Sequence, residues 1–167
     1  MLLNEDEVLK YLPHRKPFLF IDTVKDVIVP DSIKGKDDVE AKDLVGTKVI
    51  ANFKISKDLE ILKGHFPGNP ILPGVVQIEM MAQASAFVSL ALNGLSIDGV
   101  NVETLLLAVE SAKYRKPLLP GEELEIHATM DKSRGTVAHY FCEIFSEGKR
   151  VSEAKILAKL DIIKKDS

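Results

Sequence analysis

The 167-residue sequence has a single cysteine, Cys142, and no tryptophan. One cysteine excludes an intrachain disulfide framework and any metal site built from several cysteine ligands. An excess of positive charge is also absent, because the chain has 22 lysines and arginines against 25 aspartates and glutamates. General nucleic-acid binding therefore has no electrostatic support. The first seven residues are acidic where a signal peptide would be basic. Together these features predict a protein of the reducing cytoplasm.

An uninterrupted membrane-spanning run is missing as well. The most apolar stretch, residues 75–92, contains Gln77, Glu79 and Gln83, and an ionised side chain costs roughly 2.5–3.5 kcal/mol or more at the centre of a bilayer. The composition is otherwise ordinary for a globular protein, with 46% hydrophobic and 28% charged residues. We therefore expect residues 1–167 to form a single domain, in which this stretch is a buried helix.

The sequence predicts two helices and about six strands. A short helix over residues 4–12 should begin at Asn4, an N-cap residue followed by acidic side chains. β-Branched and aromatic residues mark the strands. The predicted strands are residues 18–29, 48–55, 104–114, 123–130, 136–145 and 151–163. The short turns between the last strands predict an antiparallel meander. A long apolar helix wrapped by a curved antiparallel sheet is an α+β architecture.

Motifs for a cofactor are absent from the sequence. It has no His-Glu-x-x-His pattern, no glycine-rich nucleotide loop and no Gly-x-Ser-x-Gly elbow. We therefore expect neither a metal ion nor a nucleotide cofactor. Three of the four histidines, His14, His127 and His139, lie beside basic residues or inside predicted strands, and we expect them to be structural or on the surface.

The fourth histidine, His65, lies in a segment with three prolines and three glycines in eleven residues, Gly64–Gly74. Proline lacks the donor for a strand ladder and fixes φ, so this segment must be a shaped loop. A histidine held in a stiff loop suits a general base. From the residues alone two roles stay open for His65, which are the base or a hydrogen bond that holds the loop.

Glu79 is the one acidic residue in the predicted buried helix, and its neighbours are apolar on nearly every side. Burial disfavours the ionised carboxylate, and a buried carboxyl group without a partner is costly. Gln83 lies one turn later on the same face, where it can orient Glu79 or a water molecule. The two alternatives are a catalytic acid and a structural Glu–Gln pair.

The start of the long helix, at Pro73 and Gly74, places free backbone N–H groups and the positive end of the helix dipole next to the His65 loop. Gly74 also lets a ligand approach the backbone closely. An N–H group at this point would stabilise a carbonyl oxygen that gains negative charge. A base, an acid and an oxyanion site together predict proton abstraction next to a carbonyl group, followed by loss of a protonated leaving group.

Several segments carry a family resemblance, and they are residues 12–22, 64–75, 78–83, 113–117 and 120–122. They closely resemble the 3-hydroxyacyl-[acyl-carrier-protein] dehydratases of the FabZ type, over nearly the whole chain. The resemblance implies the hotdog fold, dimers that often assemble into hexamers, and no cofactor. It also implies dehydration of a (3R)-3-hydroxyacyl thioester on acyl carrier protein to the trans-2-enoyl thioester, in type II fatty-acid biosynthesis.

The resemblance also implies roles for individual residues. His65 takes the C2 proton, and the Gly74 N–H holds the thioester oxygen. Glu79 protonates the departing hydroxyl, and in the family this residue comes from the other subunit of the dimer. The residues expected at the substrate are Phe66, Pro73 and Gln83, with Gln83 supporting Glu79 or a water. A sister family that also moves the double bond is similar but has Asp at the position of Glu79, which favours the simple dehydratase.

Partner and specificity are less well defined by the sequence. Acyl carrier protein is acidic, and the basic residues that are candidates for docking it are Lys113, Arg115, Lys116, Lys132 and Arg134. The same fold permits a non-catalytic acyl-thioester-binding module or a thioesterase, although the presence of both His65 and Glu79 counts against the binding module. The segment 32–46 is longer than expected for the family, and Met80 and Met81 follow Glu79, so acyl chain length stays open.

Overall fold

A 13-residue helix, α2 (Gly74–Ala86), lies at the centre of the fold and continues into a 3₁₀ turn at Phe87–Ala91. The computed structural model describes residues 1–36, 38–92, 97–98 and 100–164. The six strands are β1 (Thr23–Ile28), β2 (Lys48–Lys54), β3 (Val100–Tyr114), β4 (Glu123–Arg134), β5 (Val137–Ser146) and β6 (Lys149–Lys164). They form one sheet in the order β1-β2-β4-β5-β6-β3, antiparallel throughout, and α2 packs against β2 to β6. This is the predicted α+β architecture, with the predicted meander at β4-β5-β6.

The N-terminal helix α1 (Glu5–Tyr11) begins where the sequence predicts. The Asn4 side chain accepts a hydrogen bond from the Glu7 N–H (3.1 Å), and the Glu7 carboxylate accepts one from the Asn4 N–H (2.8 Å). This reciprocal pair satisfies two backbone donors at the helix start. At the other end of α1 the buried Tyr11 hydroxyl bonds to Ser89, which ties the helix to the turn that follows α2.

The apolar stretch that begins at Gly74 is the core helix, as predicted. By length and composition alone, Gly74–Ala91 is apolar enough to cross a membrane, with a mean hydropathy of 1.2, yet 72% of it is buried inside the fold. Met80 and Met81 are both fully buried. Their bulk therefore fills the core of the protein.

The first strand is shorter than predicted. The pattern predicts a strand over residues 18–29, but β1 begins only at Thr23. The Phe18 carbonyl and the Phe20 N–H bond to the side chain of Gln83 on α2, so these backbone groups are satisfied without a neighbouring strand. The polar segment after β1, described except for residue 37, contains 3₁₀ turns at Asp31–Ile33 and Ala41–Leu44.

Strand β3 forms one edge of the sheet and is exposed on its outer side. It pairs only with β6 among the described residues. Its central apolar side chains are exposed to between 40 and 51%, and they are Leu105, Leu106, Leu107 and Val109. An edge that offers unpaired backbone groups and apolar side chains is a template for a further strand.

The connection between β3 and β4 is held by the carboxylate of Glu122. It accepts hydrogen bonds from Lys116 Nζ (2.6 Å), the Ser146 hydroxyl (2.5 Å) and the Leu119 N–H (2.9 Å). Within the same connection the Leu118 carbonyl accepts the Leu72 N–H (2.9 Å), which joins it to the loop before α2. Burial alone would raise the pKa of Glu122, but these hydrogen bonds outweigh it and hold the pKa below the ordinary 4.5.

Replacing Glu122 by glutamine is therefore expected to destabilise the fold in a pH-dependent way. A carboxylate whose pKa is depressed in the folded state stabilises it above pH 4.5, and the contribution disappears as the pH falls through the lowered value. Thermal melts should show a lower Tm for Glu122→Gln at pH 7 and a shrinking difference in more acidic buffers.

The matched control is Glu123→Gln, because the adjacent Glu123 is exposed and forms an ion pair with Lys54 (3.0 Å). Exposed pairs contribute only about 0–1 kcal/mol, so this variant should melt close to wild type. A Glu122→Gln difference that stayed constant from pH 7 to pH 3 would contradict the assignment.

Candidate active site

The loop from Gly64 to Pro73 is folded by hydrogen bonds within itself. Phe66 and Asn69 exchange two backbone hydrogen bonds (3.0 and 2.9 Å), and the Ile71 N–H donates to the His65 carbonyl (2.9 Å). The prolines have no N–H to compete for these acceptors, and their fixed φ favours the turn. His65 is thereby held at one place on the loop, as its sequence context predicts.

The His65 ring is oriented by one of its two nitrogens. Nδ1 lies 2.8 Å from the Ile71 carbonyl, so in the neutral ring Nδ1–H donates and Nε2 carries the lone pair. Nε2 makes no hydrogen bond to any residue that the structure describes. The ring also stacks on Phe66, with centroids 4.0 Å apart. The two alternatives for His65 are thus compatible, because one nitrogen holds the loop while the other is free to accept a proton.

Helix α2 begins beside this histidine. Pro73 is its N-cap and Gly74 its first residue, and the Gly74 N–H makes no hydrogen bond within the described chain. The Tyr114 hydroxyl donates to the Gly74 carbonyl (3.0 Å). A Cβ on residue 74 would lie only 2.9 Å from the Tyr114 ring, so glycine is needed here for close approach. The arrangement offers a free N–H at the positive end of a helix.

His65, Gly74 and Tyr114 line one open pocket of about 420 Å³. The other residues that line it are Ile71, Leu72, Gln77, Arg115, Lys116 and Pro117. Gln77 is a residue that the sequence reasoning missed as a functional candidate, since it was considered only as an interruption of an apolar run. Its position one turn after Gly74 was a signal, because residues three apart share a helix face.

Glu79 belongs to a second group of polar side chains, centred on Gln83. Gln83 Nε2 donates to Glu79 Oε1 (2.8 Å) and to the Phe18 carbonyl (2.9 Å), while its oxygen accepts the Phe20 N–H (2.9 Å). His14 Nε2 lies 3.4 Å from the same Glu79 oxygen. His14 was expected to be structural or on the surface, and the structure places it next to the candidate acid.

The structure does not join the two groups within one chain. Among the described residues no hydrogen bond or ion pair links His65 to Glu79, and Glu79 does not line the His65 pocket. Glu79 lies four residues after Val75, on a helix face where Val75 is 76% exposed. The Glu79 side chain is itself 23% exposed, so it is less buried in the single chain than its apolar neighbours in the sequence suggest.

The residues predicted at the substrate, Phe66, Pro73 and Gln83, do not line this pocket in the single chain. Phe66 is exposed and stacks on His65, whereas Pro73 is buried at the helix start. Gln83 is 1% exposed, with both ends of its amide used inside the chain. Among the described residues no three His, Cys, Asp or Glu side chains converge as metal ligands.

The predicted basic docking residues are only partly free. Arg115 pairs with Glu153 (2.9 Å) and Lys116 with Glu122 (2.6 Å), and both line the pocket. The other three make no ion pair within the described part of the chain, and they are Lys113, Lys132 and Arg134. The two basic residues that line the His65 pocket are therefore already paired with carboxylates of the same chain.

Known proteins resemble this chain in sequence and in fold. Residues 41–155 match the family model ApeI-like, described as ApeI dehydratase. The chain is 32% identical over 160 residues to FabZ, the 3-hydroxyacyl-[acyl-carrier-protein] dehydratase, of Rickettsia felis, covering 96% of this chain and 97% of that one. It is 34% identical over 160 residues to FabZ of Rhizobium rhizogenes, covering 96% and 88%.

A solved structure supports the fold independently. The dehydratase heterocomplex ApeI:P from Xenorhabdus doucetiae superposes with a TM-score of 0.64 at 20% identity, covering 92% of this chain and 90% of that chain. The helix-and-sheet arrangement described above is thus the hotdog fold, as the sequence resemblance implied.

The hydrogen bonds of α2 give a stability prediction with an internal control. Gln83→Leu leaves the Phe18 carbonyl and the Phe20 N–H without partners, and each buried group left unpaired costs about 1–3 kcal/mol. We expect urea denaturation to show a loss in the free energy of unfolding of that order. Gln77→Leu, on the same helix, removes no hydrogen bond among the described residues and should unfold near the wild-type urea concentration. Equal destabilisation by the two substitutions would show that the Gln83 hydrogen bonds add nothing to stability.

Proposed function

The chain belongs to the family of hotdog-fold dehydratases that includes FabZ and ApeI, and we propose that it removes water from 3-hydroxyacyl groups carried on acyl carrier protein. It is a 3-hydroxyacyl-[acyl-carrier-protein] dehydratase of fatty-acid biosynthesis. The substrate proposed is the (3R)-3-hydroxyacyl thioester, and the products are the trans-2-enoyl thioester and water. The observation that carries the proposal is the free Nε2 of His65 in a pocket shared with the start of α2.

His65 is proposed as the base of this reaction. Nε2 takes the proton from C2, and the electron pair of that C–H bond moves toward the thioester carbonyl. The Gly74 N–H, which has no partner in the described chain, stabilises the negative charge on the carbonyl oxygen. Because Nδ1 is already bound to the Ile71 carbonyl, the ring does not need to reorient as Nε2 gains the proton.

Glu79 is proposed as the acid. As the C2–C3 double bond forms, the C3–O bond breaks and the hydroxyl leaves as water with a proton from the Glu79 carboxyl group. Gln83 donates a hydrogen bond to Glu79 Oε1, and His14 Nε2 lies 3.4 Å from the same oxygen. Phe66 supports the His65 ring by stacking on it, and Pro73 is the N-cap residue before Gly74. These steps need no metal and no cofactor.

We propose that the complete site forms between two copies of the chain. His65 and Glu79 are not joined within one chain, as far as the structure describes it, and the Glu79 face carries the exposed, apolar Val75. The edge strand β3 likewise exposes apolar side chains that a second β3 would cover. A two-fold pairing of identical surfaces is the commonest way to bury such a patch. A trimer of these dimers is the larger assembly expected from the family resemblance.

The proposed partner of the dimer is acyl carrier protein in the cytoplasm. Its acidic surface fits the basic residues at the pocket mouth, where Arg115 and Lys116 lie. Arg115 and Lys116 are paired with Glu153 and Glu122 of the same chain. Docking therefore has to replace these carboxylates with carboxylates of acyl carrier protein. The three other basic candidates need no such exchange.

The first test measures the product directly. Incubation with a 3-hydroxyacyl thioester should give the enoyl thioester, and His65→Ala should reduce the rate by about 10²–10⁴-fold while the protein stays folded, as expected for loss of a general base. His139→Ala is the matched control, since His139 lies on the sheet beside Glu110 (3.3 Å). Free acid as the product would indicate a thioesterase, and binding without turnover would indicate an acyl-thioester-binding module.

The second test asks whether the site spans two chains. His65→Ala and Glu79→Gln should each be inactive, because one lacks the base and the other cannot deliver a proton. Mixed under conditions of subunit exchange, they should recover about a quarter of wild-type activity, since half of the dimers are mixed and each of those keeps one intact site of two. Proven exchange without recovery would place both groups in one chain.

A further inference from the structure

Gln77 is a buried polar side chain for which the described chain provides no partner. It is 3% exposed, and its amide oxygen is buried without a hydrogen bond. Its amide nitrogen likewise bonds to no described residue. In folded proteins nearly all buried polar side chains are paired, so each exception needs an explanation.

Eight described side chains have a buried polar atom without a partner, and Gln77 is the one among them that lines the His65 pocket. Gln83 is similarly buried, but its oxygen and nitrogen make three hydrogen bonds with the chain. A leucine at position 77 would bury a similar volume and leave no polar group unpaired. A glutamine that lines a pocket can instead pair with a molecule bound there.

The position of Gln77 shows where that partner comes from. Gln77 lines the same pocket as His65 and Gly74. Side chains on a helix tilt toward its N-terminus, so the carboxamide lies over the turn that begins at Gly74. Arg115 and Lys116, which line the pocket as well, are exposed and form its mouth, whereas Gln77 is buried. Gln77 thus lies on the buried side of the pocket, where the acyl chain of a substrate held by its thioester at Gly74 would lie.

We propose that Gln77 is a specificity-determining residue that hydrogen-bonds the 3-hydroxyl group of the substrate. The proposal rests on the function proposed above, in which Gly74 holds the thioester oxygen and C3 lies two carbons further into the pocket. A hydroxyl group donates one hydrogen bond and accepts others, so it can pair with either end of a carboxamide. This contact selects acyl chains that carry the hydroxyl and holds its oxygen in place for the proton from the acid.

The test compares two unreactive ligands that differ by one oxygen atom. Both are acyl-pantetheine amides, in which nitrogen replaces the thioester sulfur so that the C2 proton is not acidic enough for elimination. One carries a 3-hydroxyacyl chain and the other the plain acyl chain of equal length. Dissociation constants are measured by calorimetry for wild type and for Gln77→Leu.

Wild type should prefer the hydroxyacyl ligand, and Gln77→Leu should lower that preference about tenfold, as expected for one lost hydrogen bond. Affinity for the plain acyl ligand should change by less than about twofold, because that ligand has no hydroxyl to lose. Gln77→Met, with an unbranched side chain, serves as the second variant if the leucine variant does not fold. Ser85→Ala is the matched control, because Ser85 is buried on the same helix but bonds to the Ala82 carbonyl (2.7 Å) and should leave the preference unchanged.

Three outcomes would overturn the proposal. An equal loss of affinity for both ligands would place Gln77 against the pantetheine arm. An unchanged preference would show that Gln77 does not contact the hydroxyl, and so would a wild type that binds both ligands equally. The turnover assay on the thioester is separate, so absence of enoyl product from wild type would refute the proposed function by itself.

Discussion

The hydrogen bonds of the Gln83 carboxamide hold the part of the site that contains the candidate acid. This one buried group binds the loop at Phe18 and Phe20 and the carboxylate of Glu79, all at 2.8–2.9 Å. Because a buried amide must be satisfied, the loop cannot shift without leaving several polar groups unpaired at once. The helix, the N-terminal loop and the candidate acid are therefore held in one arrangement. The same bonds delay the start of β1 to Thr23, since Phe18 and Phe20 already bond to Gln83.

The candidate base is held by a separate and more local device. The His65 ring is fixed by the Ile71 carbonyl six residues later, inside a loop whose prolines restrict the backbone. The start of α2 lies beside His65 because the Leu72 N–H donates to the Leu118 carbonyl in the segment between β3 and β4. Glu122 holds that segment in turn, by accepting the Leu119 N–H. Base and oxyanion donor are thus positioned by one part of the fold, and the acid by another.

A single chain leaves two different features without a partner, which are exposed apolar surface and a buried carboxamide with no hydrogen bond. The β3 edge and Val75 expose apolar area, which is more stable when a protein surface covers it than when water does. Gln77 is unsatisfied in a different way, since its carboxamide faces a pocket and not a flat surface. In the proposed dimer a second copy of the chain covers the apolar area, and in the proposed complex a substrate hydroxyl pairs with Gln77.

Much of this molecule could be predicted from the sequence, because the relevant forces are local. Asn4 caps α1 through a neighbour three residues away, prolines exclude regular structure around His65, and the apolar run from Gly74 had to be buried. The resemblance to FabZ identified the candidate base, acid and oxyanion donor in the same way, from short motifs.

What the sequence did not reveal were the positions of His14 and Gln77. His14 lies beside Glu79, and Gln77 has no partner in the described chain although Gln83, on the same helix, has three. Both glutamines interrupt one apolar run, and the spacing in the sequence linked only Gln83 to another polar residue, Glu79. Only the tertiary structure decides between them, because a partner for a side chain on α2 depends on which distant segment packs against that face of the helix.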